Sequence, residues 1–538
     1  MHERPLPSFL RLAAAMTPVL AAAVVGVPAA LSSAPAEARA TTVVTYRTPA
    51  ALRRALRLHP ARVIKRLPDV RAIEVRPEHP GEFAEAVSTL PGIVSVDVPE
   101  RRFSASEPGL TALYSAGVPY QWQYTAARVG NVPEAVLRAA ASVTVAVIDT
   151  GADVNAPDLA AKQPATYNVF NGGSDVRDYH GHGTFVASIA AGSVTNGEGI
   201  AGFGGDAKLL IVQTGRADGS FTDVDEAEAI VYAVNQGATV INLSIGGTET
   251  SVVEREALEY AAEHGVLVVA AAGNEFEEGN PVEYPAALLQ PVGSNGRGGW
   301  GLAVGATTRN GGRASFSNTG SWISLAAPGE NVFGAISSDA RKREWPRYKL
   351  PGSAQGLYGY ASGTSFSAPQ VAGAAALVWA ANPELSREQV AWILKQTASG
   401  NGRWTHSLGY GVLDVGRAVA TAAGGGEVVP PPRAGAALKV VGPSTRIAKR
   451  PRLRIQGILR SKLPAISPAG RRVSLQVRRG GRWHRVARAR TKAGGRIVLR
   501  TRLVPGRYVM RVKYAGAPEL EAATSRTFIM KVPRRKRR

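Results

Sequence analysis

Three short stretches of the 538-residue chain hold side chains whose types and settings suit nucleophilic catalysis. Val145-Ala146-Val147-Ile148-Asp149-Thr150-Gly151 puts a carboxylate at the C-terminal end of an apolar run, the end of a parallel strand where reactions tend to sit in α/β sheets. By itself such an aspartate more often caps a helix or binds a metal. His180-Gly181-His182-Gly183-Thr184 runs into the apolar Phe185, Val186 and Ile189, so the His182 imidazole stands at the mouth of a helix; alone, it reads equally as a helix-start residue. Gly363-Thr364-Ser365-Phe366-Ser367-Ala368-Pro369 opens another helix, extending to about Ala381. There the Ser365 hydroxyl lies beside unpaired backbone N–H groups at the positive end of the helix, a setting that stabilises a developing oxyanion. Pro369 has no N–H, which leaves the Ser365 carbonyl without its helical partner.

Those residues need a scaffold, and the segment 114–422 has the pattern of one. Short apolar runs at Val143–Ile148, Lys208–Val212, Val240–Ile245, Val266–Ala272 and Leu302–Val304 predict strands buried on both faces, hence an α/β unit with a parallel sheet covered by helices. A helix starting at Thr222 turns Ile230, Ala233 and Val234 inward, and Ser386 with Gln389 forms a capping box ahead of Val390, Ile393 and Leu394. Ahead of this unit, 41–105 reads as strand, helix, two strands, helix, strand, with Phe83, Ala86, Val87 and Leu90 on one face of the second helix: a small α+β module. Behind it, Gly424-Gly425-Gly426 and Pro430-Pro431-Pro432 mark a linker over 423–435, flexible and then stiff. From 436 to 533, Tyr508, Met510, Val512 and Tyr514 alternate with Arg507, Arg511 and Lys513, and turn pairs recur at Gly480-Gly481, Gly494-Gly495 and Pro505-Gly506. This predicts an all-β sandwich, followed by a basic tail over 534–538.

Residues 1–40 carry Arg4 and Arg11, an apolar stretch from about Leu12 to Leu31, and then Ala38-Arg39-Ala40, the pattern of an export signal cleaved near Ala40. Pro18, Gly26 and Pro28 interrupt that stretch and argue against the alternative of an uncleaved anchor. The expected location is outside the cytoplasm. Cysteine is absent, which excludes disulfides, thiolate catalysis and cysteine-ligated metals. The net charge of +23 is unevenly spread: from Pro431 onward there are 31 Lys and Arg against 2 Asp and Glu, and the rest of the chain is slightly acidic. Such a module suits an anionic cell-wall polymer, acidic lipid or nucleic acid as salt-dependent partner, or else serves as a spacer. Its aromatics are sparse, Trp483 and His484 being the clearest, so no specific nucleic-acid readout is expected.

In the order Asp149, His182, Ser365, the three motifs resemble those of the subtilisin-like serine peptidases (subtilases, S8 family) over about Tyr120 to Ala422. Gln121-Trp122, Ser244-Ile245-Gly246 and Ala270-Ala271-Ala272-Gly273-Asn274 extend the likeness. The resemblance implies a three-layer α/β catalytic domain and a secreted endopeptidase acting on protein or peptide substrates. On it, Ser365 is the nucleophile, His182 the general base and acid, Asp149 the group that orients His182, and Asn274 a donor to the oxyanion. Ser244, Ile245 and Gly246 pair with substrate backbone and wall the primary side-chain pocket, which Gly273 helps to shape. By position, the upstream α+β module resembles the family's inhibitory propeptide, which implies an intramolecular inhibitor and autocleavage between about Arg102 and Leu110. The basic sandwich resembles bacterial Ig-like modules.

The implied chemistry requires no cofactor. Structural calcium is common in the family, but the sequence assigns it no ligands: Asp153 and Asp158, near the first motif, read equally as turn residues. Glu275, Glu277 and Glu278 would favour basic substrate side chains, unless they form an ordinary solvated loop. Phe185, Ser188, Phe366, Ser367 and Asn155 stand where family members commonly carry His, Gly, Met, Ala and His, and none of these departures removes a catalytic group. The alternative, from a different functional class, is a catalytically silent scaffold of this fold that binds polyanionic surfaces.

Overall fold

The computed structural model describes residues 41–104, 120–341, 345, 347, 357–424, 436–441, 445–447, 452–461, 468, 470–479, 482–516, 520 and 522–532. The export signal, the basic tail, most of the linker and positions 105–110 of the expected autocleavage interval lie outside them.

The first module has the element order read from its sequence. Strands β1 (Thr42–Tyr46), β2 (Arg62–Leu67), β3 (Ala72–Arg76) and β4 (Ile93–Asp97) form an antiparallel sheet in the order β2-β3-β1-β4. Its helices, Pro49–Leu58 and Pro80–Ser88, bury Leu52, Ala55, Phe83 and Val87 against Val44, Ile73 and Val75. A further strand, β5 (Arg101–Ser104), joins no strand of that sheet and reaches into the next unit.

That unit is built on a seven-stranded parallel sheet: β6 (Thr144–Asp149), β7 (Ala165–Asn168), β8 (Lys208–Gln213), β10 (Val240–Leu243), β12 (Leu267–Ala271), β13 (Gly301–Thr307) and β14 (Leu325–Pro328). The spatial order is β14-β13-β12-β10-β6-β8-β7. Successive residues of a strand face opposite ways, so Val145 and Val147 enter one hydrophobic layer while Ala146 and Ile148 enter the other. Helices His182–Ala191 and Thr364–Ala381 cover the first face; Asp223–Asn235 and Val252–Glu263 cover the second. The two edge strands β7 and β14 are not among the runs read from the sequence: β7 is short and only partly buried, whereas β14 is apolar and buried throughout.

The expected strand Val240–Ile245 is interrupted. It stops at Leu243, and Ile245–Gly246 forms a separate strand, β11, which together with β9 (Ser220–Thr222) flanks β5 in a small antiparallel sheet. Ser244 sits at the break, and its own hydrogen bonds, described below, explain it. At the C-terminal end, Ala436–Val440, Arg452–Ser461 and Arg496–Arg502 form one sheet facing another that contains Arg472–Arg479, Arg482–Arg490, Gly506–Tyr514 and Phe528–Val532. Leu453, Ile455, Leu475, Val477, Met510 and Val512 fill the space between. No described helix is long and apolar enough to cross a membrane.

Candidate active site

Strand β6 ends on Asp149, and the helix beginning at His182 starts directly beside it. His182 Nδ1 lies 2.7 Å from Asp149 Oδ1, and both side chains are fully buried. The same Asp149 oxygen accepts the Thr150 N–H at 2.7 Å, which orients the carboxylate. Close approach of helix to strand requires Gly183: a Cβ there would stand 2.1 Å from the Gly151 carbonyl oxygen. The geometry is locked by a residue that the motifs did not single out. Asp178, fully buried, accepts from Thr150 Oγ1 and Gly181 N on one oxygen and from Thr184 N and Oγ1 on the other, at 2.6–2.8 Å. It thus satisfies N–H groups at the entrance of the His182 helix while gripping the end of β6. Its signal in the sequence was its place four residues before His182, just ahead of a helix start.

Ser365 occupies the second position of the helix Thr364–Ala381, among N–H groups with no intrahelical acceptor. Because Pro369 cannot donate to it, the Ser365 carbonyl instead accepts from Ser244 Oγ at 2.7 Å, and Asn242 Nδ2 in turn donates to Ser244 Oγ at 2.9 Å. The hydroxyl of Ser365 donates to the Ser244 carbonyl at 3.2 Å. These bonds draw Ser244 toward the serine helix and end β10 there. Asn274 is held from the other side: its Oδ1 accepts from Thr364 N at 2.8 Å and Thr364 Oγ1 at 3.0 Å, which directs the amide NH2 away from Thr364. The centre of the His182 ring lies 5.6 Å from that of Phe366, the residue after Ser365. Phe366 packs on Phe185 at 4.6 Å, so those two departures from the usual family residues form one contact.

The Ile245–Gly246 edge is in use. Ile245 pairs with Ser104 and Gly246 with Phe103, while Arg101, Arg102 and Phe103 pair with Thr222, Phe221 and Ser220 on the other side. Behind the edge lies Glu283, a buried carboxylate that sequence reasoning missed. A Cβ on Gly246 would meet Glu283 Oε2 at 2.3 Å, and one on Gly273 would meet Glu283 Cγ at 2.8 Å and Glu275 Oε2 at 2.9 Å. Burial, then the adjacent Glu275 charge and its hydrogen bond, push the Glu283 carboxyl up to about 9. Of the acids in the run Glu275, Glu277 and Glu278, only Glu275 reaches this place. Glu277 and Glu278 are exposed.

Among the described residues no three His, Asp or Glu side chains converge as a metal site. The two aspartates near the first motif are engaged locally. Asp153 accepts from Asn155 N and from Ser338 N and Oγ, and Asp158 from Ile200 N and Tyr358 Oη.

The chain is similar to several known proteins. A model described as the subtilase family matches residues 140–411. A thermophilic serine proteinase of Bacillus sp. (strain AK1) is 35% identical over 272 residues, a match covering 50% of this chain and 60% of that protein. Subtilisin BL of Lederbergia lenta is 36% identical over 272 residues, covering 51% of this chain and 88% of that protein. Among solved structures, fervidolysin of Fervidobacterium pennivorans, a keratinolytic enzyme related to subtilisin, superposes with a TM-score of 0.62 at 22% identity, covering 92% of this chain and 78% of that one. At that identity the likeness speaks for the fold.

Proposed function

This chain belongs to the subtilase family, and from that premise we propose that it is a secreted serine endopeptidase, made as a self-processed precursor and acting through an acyl-enzyme. The observation that carries the reading is the 2.7 Å contact between His182 Nδ1 and Asp149 Oδ1 at the mouth of the helix next to the Ser365 helix. In the neutral ring the Nδ1 proton goes to Asp149, which leaves the Nε2 lone pair to take a proton from Ser365. The Ser365 hydroxyl turns from the Ser244 carbonyl to His182 Nε2 and attacks the peptide carbonyl; the imidazolium, stabilised by Asp149, then protonates the leaving amine. The oxyanion accepts from the Ser365 N–H and the Asn274 amide, in a site already shielded from water. Protein or peptide backbone pairs with Ile245 and Gly246, beside the Glu275–Glu283 pair. That a whole set of mutually oriented groups is retained favours catalysis over a silent scaffold.

The upstream module is the inhibitor. Its trailing strand β5 lies along the edge a substrate would use, so the precursor masks its own site until cleavage within the expected interval. Export follows from the N-terminal signal, and the basic sandwich serves to retain the enzyme on anionic cell-wall polymer. Labelling with a fluorophosphonate tests the central claim. Ser365 is expected to take up the probe, and Ser365→Ala to lose the label and accumulate as unprocessed precursor; normal processing of that variant contradicts self-cleavage.

A further inference from the structure

Arg102 stands first by size among the fully buried side chains, although it lies on a strand whose neighbours Arg101 and Phe103 are exposed. It is enclosed by carboxylates from two helices. Nη2 lies 2.9 Å from Glu254 Oε2 and Nε lies 3.8 Å from Glu226 Oε2, with all of these side chains at 0% exposure. Asp223 completes the enclosure from the first residue of the Asp223–Asn235 helix, accepting the Glu100 N–H at 2.9 Å while its own N–H donates to the Glu100 carbonyl at 3.0 Å. Thr250 Oγ1 fixes Glu254 Oε2 at 2.5 Å. All three acids sit in the first turn of a helix, where the backbone favours negative charge.

The enclosure and its guest come from different parts of the chain. Asp223, Glu226 and Glu254 all fall within 140–411, whereas Arg102 precedes that segment. Acceptors and donors are both in reserve there: neither oxygen of Glu226, fully buried, has a hydrogen-bond partner, and neither has Arg102 Nε or Nη1. Burial works against the charge of Arg102, yet Glu254, Glu226 and Asp223 together outweigh it and hold the guanidinium protonated. When β5 leaves, three buried acids lose their cation. A structure that keeps such a cluster has a use for the cation that fills it.

The register sets where that cation belongs on a substrate. A peptide paired as β5 is paired has its pocket residue two positions before the one opposite Ile245, and three before the one opposite Ser244, whose carbonyl holds the Ser365 hydroxyl. We propose that Asp223, Glu226 and Glu254 form a selectivity pocket for an arginine side chain at the fourth residue before the cleaved bond, and that Arg102 is the precursor's own copy of that residue. The inference rests on the peptidase reading and names its substrate class: extended segments with an arginine at this remove. Arginine suits the pocket better than lysine because its planar fork reaches Glu254 and Glu226 on separate helices at once.

The matured enzyme should be offered Arg-Arg-Phe-Ser-Ala, the sequence of 101–105, as a fluorogenic amide, alongside versions with Ala, Lys or Glu replacing the second arginine. Arginine is expected to exceed alanine in kcat/KM by about 100-fold or more, as for a buried charge pair, with glutamate poorest. That ratio should fall below about 10 in Glu226→Gln/Glu254→Gln, or drop partway in Glu226→Gln alone should the double variant not be secreted. Equal turnover of the Arg and Ala peptides overturns the proposal. If no peptide is cleaved, the peptidase reading has failed, and hydrogen exchange on the full chain judges the pocket separately. Protection of the Arg101–Ser104 amides should fall in Arg102→Ala and by less in Arg102→Lys; unchanged protection in both sinks the pocket.

Discussion

One helix, Val252–Glu263, presents carboxylates to arginines in two surroundings. In its first turn Glu254 meets Arg102 with both side chains fully buried. Farther along, Glu256 and Glu259 meet the basic sandwich, taking Arg490 Nη2 and Nη1 at 2.5 and 2.9 Å and sharing Arg472, with the arginine side chains 28% and 43% exposed. The residue types are the same and the distances similar. What differs is water. At the outer cluster each partly buried ion keeps some water and regains more when its partner withdraws, so each pair contributes less than a buried one, on the order of 1 kcal/mol. Around Arg102 nothing replaces a lost partner, and breaking a buried pair costs about 3–5 kcal/mol. Charge counting would rank the sandwich contact, with more ion pairs, as the stronger one. Access to solvent reverses that order, and it turns the inner cluster into a recognition device while the outer one remains an adjustable contact.

The largest test of this contrast is Arg102→Ala in the Ser365→Ala background, which keeps β5 attached. Hydrogen-exchange protection of the Arg101–Ser104 amides should fall by on the order of 10²–10³, the equivalent of a broken buried pair. An unchanged protection would mean that backbone pairing alone holds the strand. A smaller effect is expected from pH. Burial pushes the Asp223 carboxyl up from 3.8 to about 7, and it raises Glu226 and Glu254 as well. An acid with a raised folded value contributes stability that is complete below its ordinary value and is lost as pH rises through the folded one. Thermal stability should thus decline between about pH 4 and 7, the span between the ordinary and the folded value of Asp223, and more steeply in Arg102→Ala, where no guanidinium remains to offset the ionised acids. A parallel decline in both chains would show that the arginine does not govern the cluster. The smallest change is expected from Arg472→Ala or Arg490→Ala: under about 1 kcal/mol each in thermal unfolding, and shrinking further in 0.5 M salt. A loss as large as that of Arg102→Ala would remove the distinction between the clusters.

Much of the catalytic layout was legible in the amino-acid order alone. Asp149, His182 and Ser365 sit at the ends of strongly apolar elements, and local rules place their backbone: strand end, helix mouth, helix N-terminus. The missing N–H of Pro369 even forecast an unpaired Ser365 carbonyl, though not that Ser244 would satisfy it and thereby cut β10 short. Glu283 and Asp178 were less visible. Asp178 bonds Gly181 and Thr184 nearby but also Thr150, 28 residues away, and a single buried carboxylate looks like any solvated one until its neighbours are known. Asp223, Glu226 and Glu254 were invisible as a pocket, since Glu and Asp in the first turn of a helix are ordinary helix-start residues.

By itself, then, the sequence determined the chemistry on offer and the order of the units: which residues can attack, relay a proton or donate to an oxyanion, and where strands and helices must run. Those properties depend on residue type and on neighbours three or four positions away. Only the tertiary structure decided which charges lose contact with water. Arg102 lies 152 residues from Glu254, and their meeting depends on a strand leaving one sheet to lie between two segments of another unit. Desolvation is a property of the packed assembly, so no local pattern encodes it.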